Sequence, residues 1–169
     1  MGKAEAIRQN GNMHEHAQIG AQMADEICKR FKLPTAQRKK IVKLVALHMT
    51  DIKGDTSTAK LRRFVAINYD VIFDLCDIMD ADAMASSGKI DRENRIRNIA
   101  IEMQNDGSPL SVKDLKINGN DLVNLGVDEK SRATILNELW LDTVMNPALN
   151  DRDKALAYVE KYVEKRMKP

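Results

Sequence analysis

The chain has 169 residues, 43% apolar, 31% charged and only 4% aromatic, with a formal net charge of +2. That composition suits a soluble, well-packed protein whose core rests on Leu, Ile, Val, Met and Ala, and it argues against a sandwich or a barrel. No apolar run approaches the roughly 20 residues that span a bilayer, and no signal-peptide core stands near the N-terminus, so no membrane partner is expected.

Residues 1–11 are polar and carry no periodic signal. Asn12 is a predicted N-cap. Met13, His16, Gly20, Met23 and Ile27 then fall three and four apart, so they share a helical face, which Ala17, Ala21, Ala24, Cys28 and Phe31 widen. Pro34 ends this helix. Thr35 caps a second over 36–50, with Ile41, Leu44, Val45 and His48 inward. After the loop "DIKGDTS" a third helix carries Leu61, Phe64 and Val65. Asp70 starts a fourth, with Val71, Leu75, Ile78 and Asp82 on one stripe. "SSGK" at 86–89 breaks it, and a fifth runs from about 90 to 104 with Ile96, Ile99, Ala100 and Met103 apolar.

"NDGSP" at 105–109 is the strongest boundary signal. Beyond it, a short helix capped by Asn120 is stopped by Gly126. Asp128 opens a long helix with Ile135, Leu136, Leu139, Trp140 and Val144 inside, ended by Asn146-Pro147. Asn150 begins a last one with Leu156, Val159, Tyr162 and Val163 apolar. No stretch alternates convincingly as a strand. The predicted fold is all-α: a bundle of about five helices over 1–105, then a smaller helical tail over 106–169. Cys28 and Cys76 form no Cys-x-x-Cys motif and read as buried free thiols in a reducing compartment, the cytoplasm by default.

Two features suggest chemistry. His16, His48 and Asp82 each lie on the apolar stripe of a different helix, and a buried Asp is costly unless paired or metal-bound. Two His and one Asp would make a sensible ligand set for Zn, Mn or Fe. The alternative is two histidines hydrogen-bonded in the core and Asp82 paired with an arginine. Second, Ile27 to Thr50 holds Lys29, Arg30, Lys32, Arg38, Lys39, Lys40 and Lys43 and no acid. Such a block is either a phosphate footprint or a solvated face.

The stretches "GNMHEHAQIGAQMADEICKRFKLP", "KIVKLVALHM" and "DIMDADAMASSGK" resemble the HD-type helical region of bacterial CCA-adding tRNA nucleotidyltransferases and poly(A) polymerases. His16, Gly20 and Ala21 match one segment, with Ala17 in a Glu place. Leu44, Val45 and His48 match a second, and Asp82 a third. The family's earlier His and its His-Asp pair are missing, and Gly2 and Lys3 match the end of the motif that holds the pair. The resemblance therefore implies the C-terminal part of a longer protein. His16, His48 and Asp82 would then be a remnant metal site, holding a divalent ion weakly and lacking the fuller first shell that efficient hydrolysis needs.

"LVNLGVDEKSRATIL", residues 122–136, resembles a helix-hairpin-helix, which offers backbone N–H groups to a phosphate. Asp128 stands at its usual second glycine and would repel an anion, partly offset by Lys130 and Arg132; a tight structural turn is the alternative. Asn118, Gly119, Asp121, Leu122, Leu125 and Gly126, with Asn150-x-Arg152, also resemble the family's tail. The whole resemblance implies a body and tail that grip the tRNA acceptor arm and elbow by shape and backbone. The contacts would come from the Lys29–Lys43 block, Lys60, Arg62, Arg63, Lys130 and Arg132. Nucleotide addition, with Mg and CTP or ATP, would need a separate catalytic head that no segment here resembles. Any apolar face left uncovered by that missing part would favour a homodimer. The alternatives are an HD-type phosphohydrolase acting on a nucleotide or cyclic phosphate, and a helical interaction module with no RNA role.

Overall fold

The computed structural model describes residues 2–11, 15–87 and 95–167, without the side chains of 87 and 165–167. Among the described residues the structure is all helical and no strand forms. In chain order the helices are α1 (Lys3–Asn10), α2 (His16–Arg30), α3 (Thr35–Leu47), α4 (Thr58–Ile67), α5 (Ile72–Ser87), α6 (Arg95–Asn105), α7 (Gly119–Asn124), α8 (Glu129–Met145) and α9 (Arg152–Met167). They form two compact units, 1–56 with 70–97 and 57–69 with 98–169. In this grouping α4 and most of α6 fall with the residues that follow them.

In the first unit α2 packs against α1 and α3, and α3 against α5. Ala17, Gly20, Ala21 and Ala24 are buried along α2, so the small side chains let its neighbours approach closely. Gly2 uses that space: its φ is +87°, and a Cβ there would lie 2.8 Å from the Gly20 nitrogen and closer still to the His16 carbonyl oxygen. Sequence periodicity could not reveal α1, because only Ala6 of its eight residues is buried. The expected cap Asn12 and the stripe residue Met13 lie outside the described residues. The residue at the N-cap of α2 is Glu15, in a left-handed conformation with no side-chain cap bond.

α2 ends in a Schellman motif. The Leu33 N–H donates to the Cys28 carbonyl at 3.0 Å and the Lys32 N–H to Lys29 at 2.9 Å. Lys32 therefore holds the left-handed position, with φ +53°. Thr35 was the expected cap of α3, but Pro34 occupies that place and no side chain caps it. Leu44 is buried as expected, whereas Ile41 is exposed. The following loop is tied down by Asp51, which accepts the Thr56 N–H at 3.0 Å. Arg95 completes the tie, donating to Asp51 at 3.0 Å and to the carbonyls of Gly54 at 2.6 Å and Thr56 at 2.9 Å. The fourth stripe is rotated by about one position. Val71, Ile72, Leu75, Cys76 and Met79 are buried, while Ile78 is exposed. Of the expected break at 86–89 and the fifth helix from 90, residues 88–94 lie outside the described residues.

In the second unit α8 is central, packing against α4, α7 and α9. Ile135, Leu139 and Val144 are almost fully buried, as the apolar spacing predicts; each such side chain contributes about 1.5–3 kcal/mol. The Trp140 indole N–H donates to the Pro109 carbonyl at 2.9 Å. The cap of α7 is Asn118, not Asn120. Its side chain accepts the Asn120 N–H at 2.8 Å, and Asp121 returns the bond by accepting the Asn118 N–H at 2.8 Å. Asn150 does not open α9 but staples the chain, accepting from the Lys116 N–H at 3.0 Å and donating to the Asp114 carbonyl at 3.1 Å.

Candidate functional site

The structure brings His16 and His48 together. His16 is the first residue of α2 and is buried; His48 caps the C-terminus of α3 and is half-buried. Their rings lie 5.6 Å apart, centroid to centroid, at 73°, an edge-to-face contact. His48 Nδ1 is 2.7 Å from the Val45 carbonyl oxygen. A hydrogen on Nδ1 would donate to that carbonyl and leave Nε2 facing away from this bond. Asp82 is half-buried on α5, where its carbonyl accepts the Ser86 hydroxyl. Arg97, a natural partner for such a residue, binds Asp77 at 2.8 Å and Asp80 at 3.1 Å instead. Among the described residues no group of three or more His, Cys, Asp or Glu is placed to hold a metal ion. The two histidines meet without Asp82 joining them in a ligand set.

The basic block divides into committed and uncommitted charges. Asp25, one turn before Lys29, takes Lys29 at 2.6 Å and Arg38 at 3.6 Å. The Lys29 bond holds the Asp25 carboxyl below its ordinary value. Lys40 pairs with Asp74 and Lys43 with Asp70, each at 2.8 Å. Arg63 pairs with Asp142 at 2.7 Å, and the Arg132 Nε–H donates to the Val127 carbonyl at 2.9 Å. Arg30, Lys32, Lys39, Lys60 and Lys130 make no ion pair among the described residues.

Arg62 is not a phosphate ligand. Its side chain is only 9% exposed, and its guanidinium reaches Glu102 at 3.1 Å and Asp106 at 2.7 Å. The same group donates to the Val144 carbonyl at 2.9 Å and the Ser108 hydroxyl at 2.6 Å. Four of its five N–H donors are used within the chain, and its burial leaves an external anion little access. Burial pushes the Asp106 carboxyl up, but the bonds from Ser108 and Arg62 outweigh it and hold the group below its ordinary range.

The α7–α8 hairpin is also internally satisfied. Gly126 takes the left-handed position at φ +72°. Asp128 caps α8, accepting the Ser131 N–H at 3.1 Å. The Ser131 hydroxyl bond is the main reason that its carboxyl titrates below the usual range. An anion therefore already occupies the helix end that a phosphate would seek.

Sequence reasoning missed one residue at the basic corner. Phe31 falls on the periodic stripe of α2 and so reads as core, yet it is 68% exposed. The Arg30 guanidinium lies over its ring, 5.6 Å from the centroid. Its place, past the last helical residue and three before Pro34, was the available signal: helical periodicity stops applying where the helix stops.

Residues 2–82 match the HD domain family. The chain is also similar to the A-adding tRNA nucleotidyltransferase of Deinococcus radiodurans, 36% identical over 77 residues that cover 46% of this chain and 17% of that protein. The matched stretch thus spans less than a fifth of that relative's length. No solved structure matches the chain. These similarities support a relation to HD-domain proteins that extends to a tRNA nucleotidyltransferase. No described helix is long and apolar enough to cross a membrane.

Proposed function

We propose that this chain is an RNA-binding region of a tRNA nucleotidyltransferase-type protein, gripping the acceptor arm and elbow of tRNA by shape and backbone. The similarity over 77 residues to an A-adding tRNA nucleotidyltransferase carries this reading. The uncommitted cations of the α2–α3 corner are where phosphate contacts would fall. Double-helical RNA exposes a wide, shallow minor groove and two phosphate ridges, so a helical surface holds it chiefly through charge and fit. Arg30, Lys32 and Lys39 need not break a protein ion pair to meet a phosphate. Lys40 and Lys43 must first leave Asp74 and Asp70, although exposed pairs of that kind are worth only about 0–1 kcal/mol. On this reading nucleotide addition, with Mg and CTP or ATP, belongs to a separate catalytic head, and the protein works in the cytoplasm.

The test is a titration of the chain with a folded tRNA and with a plain RNA hairpin, at roughly 50 and 200 mM salt. The expected result is tighter binding of tRNA than of the hairpin, weakening steeply with salt. Failure of both RNAs to bind at the lower salt would overturn the reading.

A second reading is an HD-type phosphohydrolase acting on a nucleotide or cyclic phosphate. The meeting of His16 and His48 within the HD-matched residues 2–82 favours it. It requires further ligands beyond that pair. Stoichiometric metal in the purified chain, lost on His48→Ala, together with hydrolysis of a cyclic nucleotide, would support it over the first.

A further inference from the structure

We propose that Phe31 is a stacking platform for an unpaired RNA base, with Arg30, Lys32 and Lys39 holding the flanking phosphates; this rests on the RNA-binding reading above. Three observations on one corner lead there. Phe31 is the most exposed of the large apolar residues described, at 68%. It stands in the turn between α2 and α3, where no helix face buries it. The Arg30 guanidinium covers part of the ring and leaves most of it in solvent.

The cations close to Phe31 in the chain form the second observation. Arg30 and Lys32 flank Phe31 in the chain, and Lys39 stands near the start of α3, into which the corner leads. Asp25, Asp70 and Asp74 are taken by Lys29, Arg38, Lys43 and Lys40, so none of these acids offsets the three. A π-face beside cations that form no ion pair among the described residues complements a single RNA strand, in which a flat base alternates with a phosphate. Such stacking tolerates any base, because every base has a π-face. An acidic protein surface would satisfy the cations but leave the ring without a flat partner.

The third observation is the backbone at Lys32. A lysine holds a left-handed position, φ +53°, that glycine adopts freely. The strain keeps a long cation next to Phe31, where glycine would present none. Local strain of this kind gathers where a side chain is needed for something other than stability.

The test uses the full chain and a labelled single strand of eight adenosines, read by anisotropy at low salt, beside a duplex of equal length. Phe31→Ala should weaken single-strand binding about tenfold and barely change duplex binding. Phe31→Trp should keep the affinity, and its emission above the Trp140 background should be quenched by the RNA. Lys39→Ala should instead flatten the log–log salt slope by about 0.7. Because Phe31 is exposed, these variants should melt with the parent. If the parent binds tRNA but Phe31→Ala binds the single strand equally well, the platform is refuted while the RNA reading stands. If the parent binds no RNA, both fall. If Phe31→Ala leaves RNA affinity intact but dissociates a dimer in sedimentation velocity, the corner is a contact between copies and the platform is wrong.

Discussion

The α2–α3 and α7–α8 turns share one backbone plan and use it differently. Each first helix ends in a Schellman pair of bonds: Leu33 to Cys28 and Lys32 to Lys29 in one, Val127 to Leu122 and Gly126 to Val123 in the other. The second turn obeys the local rules throughout. Glycine holds the left-handed position, and Asp128 caps the next helix. The first turn breaks two of them. Lysine holds the strained position, and α3 begins at Pro34 with no side-chain cap. It also exposes an aromatic ring among cations. A turn that satisfies itself has little left for a ligand; one that leaves strain and charge unresolved is where function is to be sought. The hairpin that most resembled a phosphate grip is, by this measure, the structural one.

The same contrast holds between cations, and substitutions can break it. The largest effect should come from Arg62→Ala. It strands Asp106, Glu102, Ser108 and the Val144 carbonyl, and should cost about 3 kcal/mol in denaturant unfolding. Arg30→Ala and Lys39→Ala should each cost no more than about 0.5 kcal/mol. Comparable losses for all three would erase the distinction between structural and uncommitted charge.

The two left-handed positions offer a reciprocal exchange. Gly126→Ala should destabilise the chain by about 1–2 kcal/mol, because alanine pays the left-handed penalty. Lys32→Gly should stabilise it by about 1 kcal/mol for the converse reason, while weakening RNA binding. A Lys32→Gly variant that gains stability and loses no RNA affinity would leave the strain without a purpose.

The smallest effect concerns acid. Asp106 has a folded pKa below its ordinary 3.8. It therefore contributes stability above that value and loses the contribution as pH falls through the folded pKa. Thermal midpoints should drop below about pH 4, and Asp106→Asn should be less stable at neutral pH with a shallower acid limb. An identical acid limb in both proteins would remove Asp106 from the cause.

How much of this was legible in the sequence depended on distance along the chain. The core face of α8 was, because apolar spacing and an Asp128 cap are local. The meeting of His16 and His48 was signalled by two polar residues on apolar stripes, yet spacing says nothing of whether a third residue joins them, and Asp82 does not. α1 was invisible, since it docks through the missing Cβ of Gly2 rather than through an apolar stripe. The division of the basic block was invisible too. A count of charges finds no acid from Ile27 to Thr50, but Asp70 reaches Lys43 across 27 residues of chain. Phe31 misled because periodicity was carried one residue past the helix.

The most direct measurement is the salt dependence of tRNA binding for two double variants, Lys32→Gly with Lys39→Ala and Lys40→Ala with Lys43→Ala. If the uncommitted cations carry the grip, the first pair lowers the log–log slope by nearly 2, at about 0.9 per lost phosphate contact, and the second by clearly less. An unchanged slope in the first pair, or a larger fall in the second, would contradict the division of charge on which the RNA-binding corner rests.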